Sequence, residues 1–88
     1  MASIEVTIRN DLGLEQDEFE ALCEEIFDEI VSNTPVDTGY AQSQWEIAFP
    51  KDGVCDIWND CDSISYLEDG HSSQAPDGMV QLALDKFL

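Results

Sequence analysis

Positive charge is what this sequence has least of. Of its 88 residues only Arg9, Lys51 and Lys86 are cationic, against 20 aspartates and glutamates, and the formal net charge is −17. A protein that grips phosphate backbones needs a basic face, which three scattered cations do not make. The same shortage excludes electrostatic docking to an anionic membrane. Long apolar runs are also missing, and no window approaches the ~20 residues of a membrane span. Met1 to Arg9 lacks the basic region and apolar stretch of a secretion signal, so none is expected. Histidine occurs once, as His71, without a companion at ligand spacing. The three cysteines, Cys23, Cys55 and Cys61, are an odd number for a disulfide framework. Cys55 and Cys61 are separated by five residues, which is not a zinc spacing, although a bend could bring the two together. The simplest expectation is a reduced, cytosolic origin with buried or half-buried free thiols.

What is present suffices for one thin-cored domain spanning residues 1–88. Hydrophobic residues make up 43% of the chain. A chain this short buries roughly 60–65% of its unfolded surface. Ile4, Val6 and Ile8 alternate with Glu5, Thr7 and Arg9, the period of a half-buried strand. Asn10 to Gly13 reads as a turn. Phe19, Leu22, Cys23, Ile26, Phe27, Ile30 and Val31 then fall at helical spacing and predict a helix from about Leu14 to Ser32. The opposite side of that helix carries Glu15, Asp17, Glu18, Glu20, Glu24, Glu25, Asp28 and Glu29, with no cation. Glu20 with Glu24 and Glu25 with Glu29 are like-charge pairs four apart, each costing a few tenths of a kcal/mol. Packing of the apolar stripe, rather than intrinsic helicity, must therefore hold the helix. Thr34-Pro35 should end it, because a residue before proline avoids the helical region.

Gln44 to Phe49 alternates as a second strand, Pro50 to Gly53 has turn chemistry, and Val54 to Asn59 returns as a third. Cys55 and Ile57 are expected on one face of that third strand, Val54 and Trp58 on the other. Pro76 marks a helix start, followed by Met79, Val80, Ala83, Leu84 and Phe87 on one face. The fold class expected is α+β, a long N-terminal helix packed on a small antiparallel β-sheet, with a C-terminal helix.

Catalytic and binding motifs are lacking. The acids lie mostly on one solvated helix face rather than as a pair in a pocket. Asp60-Cys61-Asp62 opens like a calcium loop, but Ile64 stands where an oxygen ligand is needed. The glycines form no phosphate cradle. The expectation is a non-enzyme with no cofactor and no metal.

Two segments carry more. The first is Thr34-Pro35-Val36-Asp37-Thr38-Gly39-Tyr40-Ala41-Gln42-Ser43-Gln44-Trp45. The second is Tyr66-Leu67-Glu68-Asp69-Gly70-His71-Ser72-Ser73-Gln74-Ala75-Pro76-Asp77-Gly78-Met79-Val80. In order and spacing they resemble the tail-completion, or head–tail joining, proteins of tailed bacteriophages, the minor tail or neck proteins. In that family a long helix leads into Thr-Pro-Val-Asp-Thr-Gly and a Trp-bearing strand, and Gln-Ala-Pro-x-Gly-Met-Val opens the last helix. The likeness covers residues 14–84. Members often carry a basic residue after Thr-Gly, where this chain has Tyr40-Ala41-Gln42.

The resemblance implies a structural virion protein, made in the host cytoplasm, that rings the head–tail junction. A hexamer is the first expectation and a dodecamer the second. Its partners would be an adjacent connector or adaptor ring and tail-tube or tail-terminator proteins. DNA would pass through the lumen unbound, and no membrane would be involved. The subunit-interface candidates are Thr34, Pro35, Val36, Asp37, Thr38 and Gly39 in the first segment. In the second they are Tyr66, Leu67, Glu68, Gly70, His71, Gln74, Ala75, Pro76, Gly78 and Met79. Local structure also accounts for these residues. Pro35 stops a helix, Asp37 suits an Asx turn, and Gly39 permits a reversal. A rival from another class is an acidic DNA mimic, with Glu15 to Glu29 imitating phosphates. Adaptation to a saline environment is compatible with either.

Overall fold

The computed structural model describes residues 4–34, 40–60 and 79–88. The elements run β1 (Ile4–Arg9), α1 (Gln16–Asn33), α2 (Tyr40–Ser43), β2 (Trp45–Lys51), β3 (Val54–Asn59) and α3 (Val80–Phe87). The three strands form one antiparallel sheet in the order β1-β3-β2. The expected α+β class is therefore observed, with one correction. A strand precedes α1, so the helix is not the N-terminal element, and its 18 residues span about 27 Å.

Register sorts the side chains into two faces. On the inner face, Val6, Ile57 and Ile47 share one row, and Ile4, Asn59 and Trp45 share the next. α1 lays Phe19, Cys23, Ile26 and Ile30 into one core with Ile8, Trp45, Cys55 and Ile57. α3 adds Val80 and Ala83 to that core, with Met79 just before it, and packs on α1. On the outer face the rows are Glu5–Trp58–Glu46, Thr7–Asp56–Ala48 and Arg9–Val54–Lys51.

Local chemistry sets the boundaries. Leu14 does not open the helix, because Asn10 claims it. The Leu14 N–H donates to Asn10 Oδ1 at 3.0 Å, and Asn10 Nδ2 donates to the Leu14 carbonyl at 2.7 Å. The helix begins two residues later, where the Glu15 N–H donates to Glu18 Oε1 at 3.3 Å. β2 runs through Lys51, past the expected end at Phe49, and its register shifts between Ala48 and Lys51. Pro50, which has no N–H, sits in that irregularity on an edge strand, where a missing donor is tolerated. Gly53 closes the hairpin at φ 77, a conformation that side chains disfavour. Its N–H donates to Gln16 Oε1 at 3.0 Å and its carbonyl accepts from Asn10 N–H at 2.9 Å, which clasps the hairpin turn to the start of α1. The short α2 was not expected. The helix start expected at Pro76 lies outside the described residues, and α3 itself begins at Val80.

Ile26 is wholly buried at the centre of this packing. Truncating such a residue removes about 2–5 kcal/mol, a large share of the stability of a small domain. Ile26→Ala should unfold cooperatively at much lower urea than wild type, or not at all. A melting temperature within two degrees of wild type would refute the placement of α1.

Candidate functional site

The described ends of the two sequence segments, Thr34 and Met79, lie at the C-terminal end of α1. Of their interface candidates, Thr34 and Met79 lie among the described residues; Pro35, Val36, Asp37, Thr38, Gly39, Tyr66, Leu67, Glu68, Gly70, His71, Gln74, Ala75, Pro76 and Gly78 lie outside them. Asn33 Nδ2 donates to the Met79 carbonyl at 3.3 Å, so the end of the second segment abuts the start of the first. Both described candidates are buried, and what they do is internal to the chain. Thr34 Oγ1 donates to the Ile30 carbonyl at 2.8 Å and accepts from the Trp45 indole N–H at 2.8 Å. The Thr34 N–H donates to the Val31 carbonyl at 3.1 Å, and Gln42 Nε2 donates to that same carbonyl at 3.0 Å. A helix end leaves carbonyls without partners, and here the side chains of Thr34 and Gln42 satisfy those of Ile30 and Val31. This knot fixes the angle between α1 and β2.

Two concavities lie elsewhere. One, of about 390 Å³, sits on the outer sheet face among Ile4, Glu5, Ala48, Asp56, Trp58 and Asp60. Asp56 Oδ1 accepts from the Thr7 hydroxyl at 3.0 Å. The other, of about 280 Å³, lies between the β1–α1 turn and the end of α3, with Leu12, Leu14, Leu22 and Phe87 on its walls. The sequence reading singled out neither. Strand alternation put Glu5 and Trp58 on outward positions, but only the register makes them neighbours.

Reactive chemistry is scarce among the described residues. No group of three or more His, Cys, Asp or Glu there is placed to hold a metal ion. Among the described residues no helix is long and apolar enough to cross a membrane. Cys61 lies outside the described residues, and Cys55 looks elsewhere. It is a free thiol facing free Cys23 across the α1–β3 contact, and the two thiols hydrogen-bond each other. Burial raises the pKa of both, and for Cys55 burial together with the neighbouring thiol pushes it up to about 12. Both therefore stay protonated at neutral pH, and a protonated thiol is a poor nucleophile and a poor metal ligand.

Two measurements test these arrangements. Thr34→Val leaves the buried Trp45 N–H without its acceptor, so it should cost about 1–3 kcal/mol in denaturant unfolding, with Thr34→Ser costing less. Equal losses for Val and Ser would show that the hydroxyl is not what matters. Iodoacetamide at pH 8 should leave Cys23 and Cys55 unlabelled in the folded chain and label both once it is denatured, as read by peptide mass mapping. Prompt labelling of either in the native state would contradict the buried pair.

Comparison with known proteins returned no match, whether against family models, curated proteins or solved structures.

Proposed function

We propose that this chain is a structural virion protein, one domain over residues 1–88, that assembles with copies of itself into a ring at the head–tail junction of a tailed bacteriophage. It would close the end of the tail or bridge it to the head connector, as a non-enzymatic part of the virion. The observation that carries the reading is the ordered pair of segments, Thr34–Trp45 and Tyr66–Val80, resembling the tail-completion proteins. Their described ends, Thr34 and Met79, lie together at one end of α1. The chain is α+β, with α1 and α3 packed together on a three-stranded antiparallel sheet, a fold class that the reading requires.

Charge gains a use under this reading. An acidic lumen repels DNA and offers it nothing to stick to. A six-fold ring is favoured, twelve-fold second, and a closed ring of this kind needs a head-to-tail contact between unlike surfaces. A more basic neighbouring ring, connector or tail-tube, would be drawn to the acid surface.

One feature favours a second reading, the acidic DNA mimic. Glu15, Asp17, Glu18, Glu24, Glu25 and Asp28 are all exposed along α1 with no cation of that helix among them. The two readings respond to salt in opposite ways. Copies of a −17 chain repel one another, and salt screens this over about 10 Å at 0.1 M. Ring assembly, or binding to tails lacking this protein, should therefore improve from low to moderate salt in sedimentation experiments. A mimic's grip on a basic partner should weaken steeply instead. A chain that fails to assemble at every salt and also fails to bind such tails would refute the joining role.

A further inference from the structure

We propose that the outer face of the sheet pairs with the same face of a second copy of this chain, the two running in opposite directions. This pairing does not rest on the head–tail reading and stands or falls separately. The observation is a separation of charge along one face of a chain with almost no positive charge. Two of its three cations, Arg9 and Lys51, flank Val54 in one cross-strand row. Two carboxylates, Glu5 and Glu46, flank Trp58 in another row of the same face. Residues 54 and 58 are four apart along β3, which separates the rows by about 13 Å. Arg9, Lys51, Glu5 and Glu46 are all exposed, and none forms an ion pair with a described residue.

A two-fold axis lying across the strands at the middle row, Thr7–Asp56–Ala48, turns one end of this face onto the other. Arg9 then stands over the second copy's Glu5, and Lys51 over its Glu46. Val54 is buried already in the free chain and adds little; the apolar contact comes from the indole of Trp58, which is half-buried and floors the concavity described above. Each contact recurs by symmetry, as an isologous interface requires. The one like-charge meeting is Asp56 with its own copy at the axis, where the Thr7 hydroxyl already donates to the carboxylate.

Size sets the strength. Three strands about 4.8 Å apart and six residues at about 3.3 Å give a face of about 300 Å². That is well under the ~800 Å² per partner of a standard interface, so pairing should be weak and reversible.

The test is sedimentation equilibrium of the full chain at 0.15 M salt, up to about 1 mM. Wild type should self-associate. Arg9→Glu with Lys51→Glu should weaken association at least tenfold, and so should Glu5→Lys with Glu46→Lys. An equimolar mixture of the two double variants should restore it, because each supplies what the other lacks. Asp56→Asn should strengthen it by removing the like-charge contact. The Glu→Lys pair discriminates most, since it lowers the overall negative charge and yet should associate less. All four charged positions are exposed, and unchanged circular dichroism checks that the variants fold. The proposal is overturned if wild type stays monomeric to 1 mM. It is equally overturned if the Glu→Lys pair associates as well as wild type, if the mixture restores nothing, or if an assembly forms that none of these substitutions moves.

Discussion

Everything in this small domain depends on one packing contact, the apolar stripe of α1 against the inner face of the sheet. Apart from this contact and the packing of α3 along it, the helix has little to hold it. Its outward side is acidic, its first-turn acids alone suit its dipole, and Asp28 and Glu29 near its end oppose it. Lys86 of α3 reaches Glu29 at 3.2 Å, but the lysine is exposed, and such pairs contribute little. Burial of Phe19, Cys23, Ile26 and Ile30 supplies what is missing, at about 1.5–3 kcal/mol for a large apolar side chain. Because the stripe must meet the sheet at one angle, the C-terminal end of α1 is tied down by hydrogen bonds rather than left to fray. Thr34, Gln42, Trp45 and Asn33 do this between them.

Much of this was legible in the sequence, wherever periodicity was long enough to speak. The alternation of Ile4, Val6 and Ile8 and the stripe from Phe19 to Val31 specified an element and its buried face together. The division of β3, Cys55 and Ile57 inward against Val54 and Trp58 outward, followed from the same rule. Boundaries were less legible, because they turn on single side chains. Asn10 takes the backbone groups of Leu14 and delays the helix, which no pattern of hydrophobicity records. A four-residue helix such as α2 is too short to show a period, and β2 continues past Pro50 because a bulge accommodates the proline.

Contacts between elements were the least legible. Spacing suggested that Cys55 might turn toward Cys61, whereas it faces Cys23, a neighbour created by how the helix lies over the sheet. Thr34 was singled out by a motif, yet its hydroxyl is committed to Ile30 and Trp45 inside the chain. The outer face could not be read at all from composition. A net charge of −17 suggests uniform acidity, and only the strand register shows that two of its three cations, Arg9 and Lys51, share one row.

The strand order also dictates a sequence of events. β2 and β3 are joined by a two-residue turn, so they find each other at small entropic cost. β1 pairs with β3 across most of the chain, Ile4 opposite Asn59, and closing a loop of that length costs more before any contact rewards it. The hairpin and α1 are thus the natural nucleus, with Asn10 and Gln16 clasping Gly53 as the helix docks. The strand that comes first in the chain is then the last to enter the sheet. Until it does, one edge of β3 stays open with Cys55 and Ile57 partly uncovered, and that interval is when this domain is most exposed to misassembly with its neighbours.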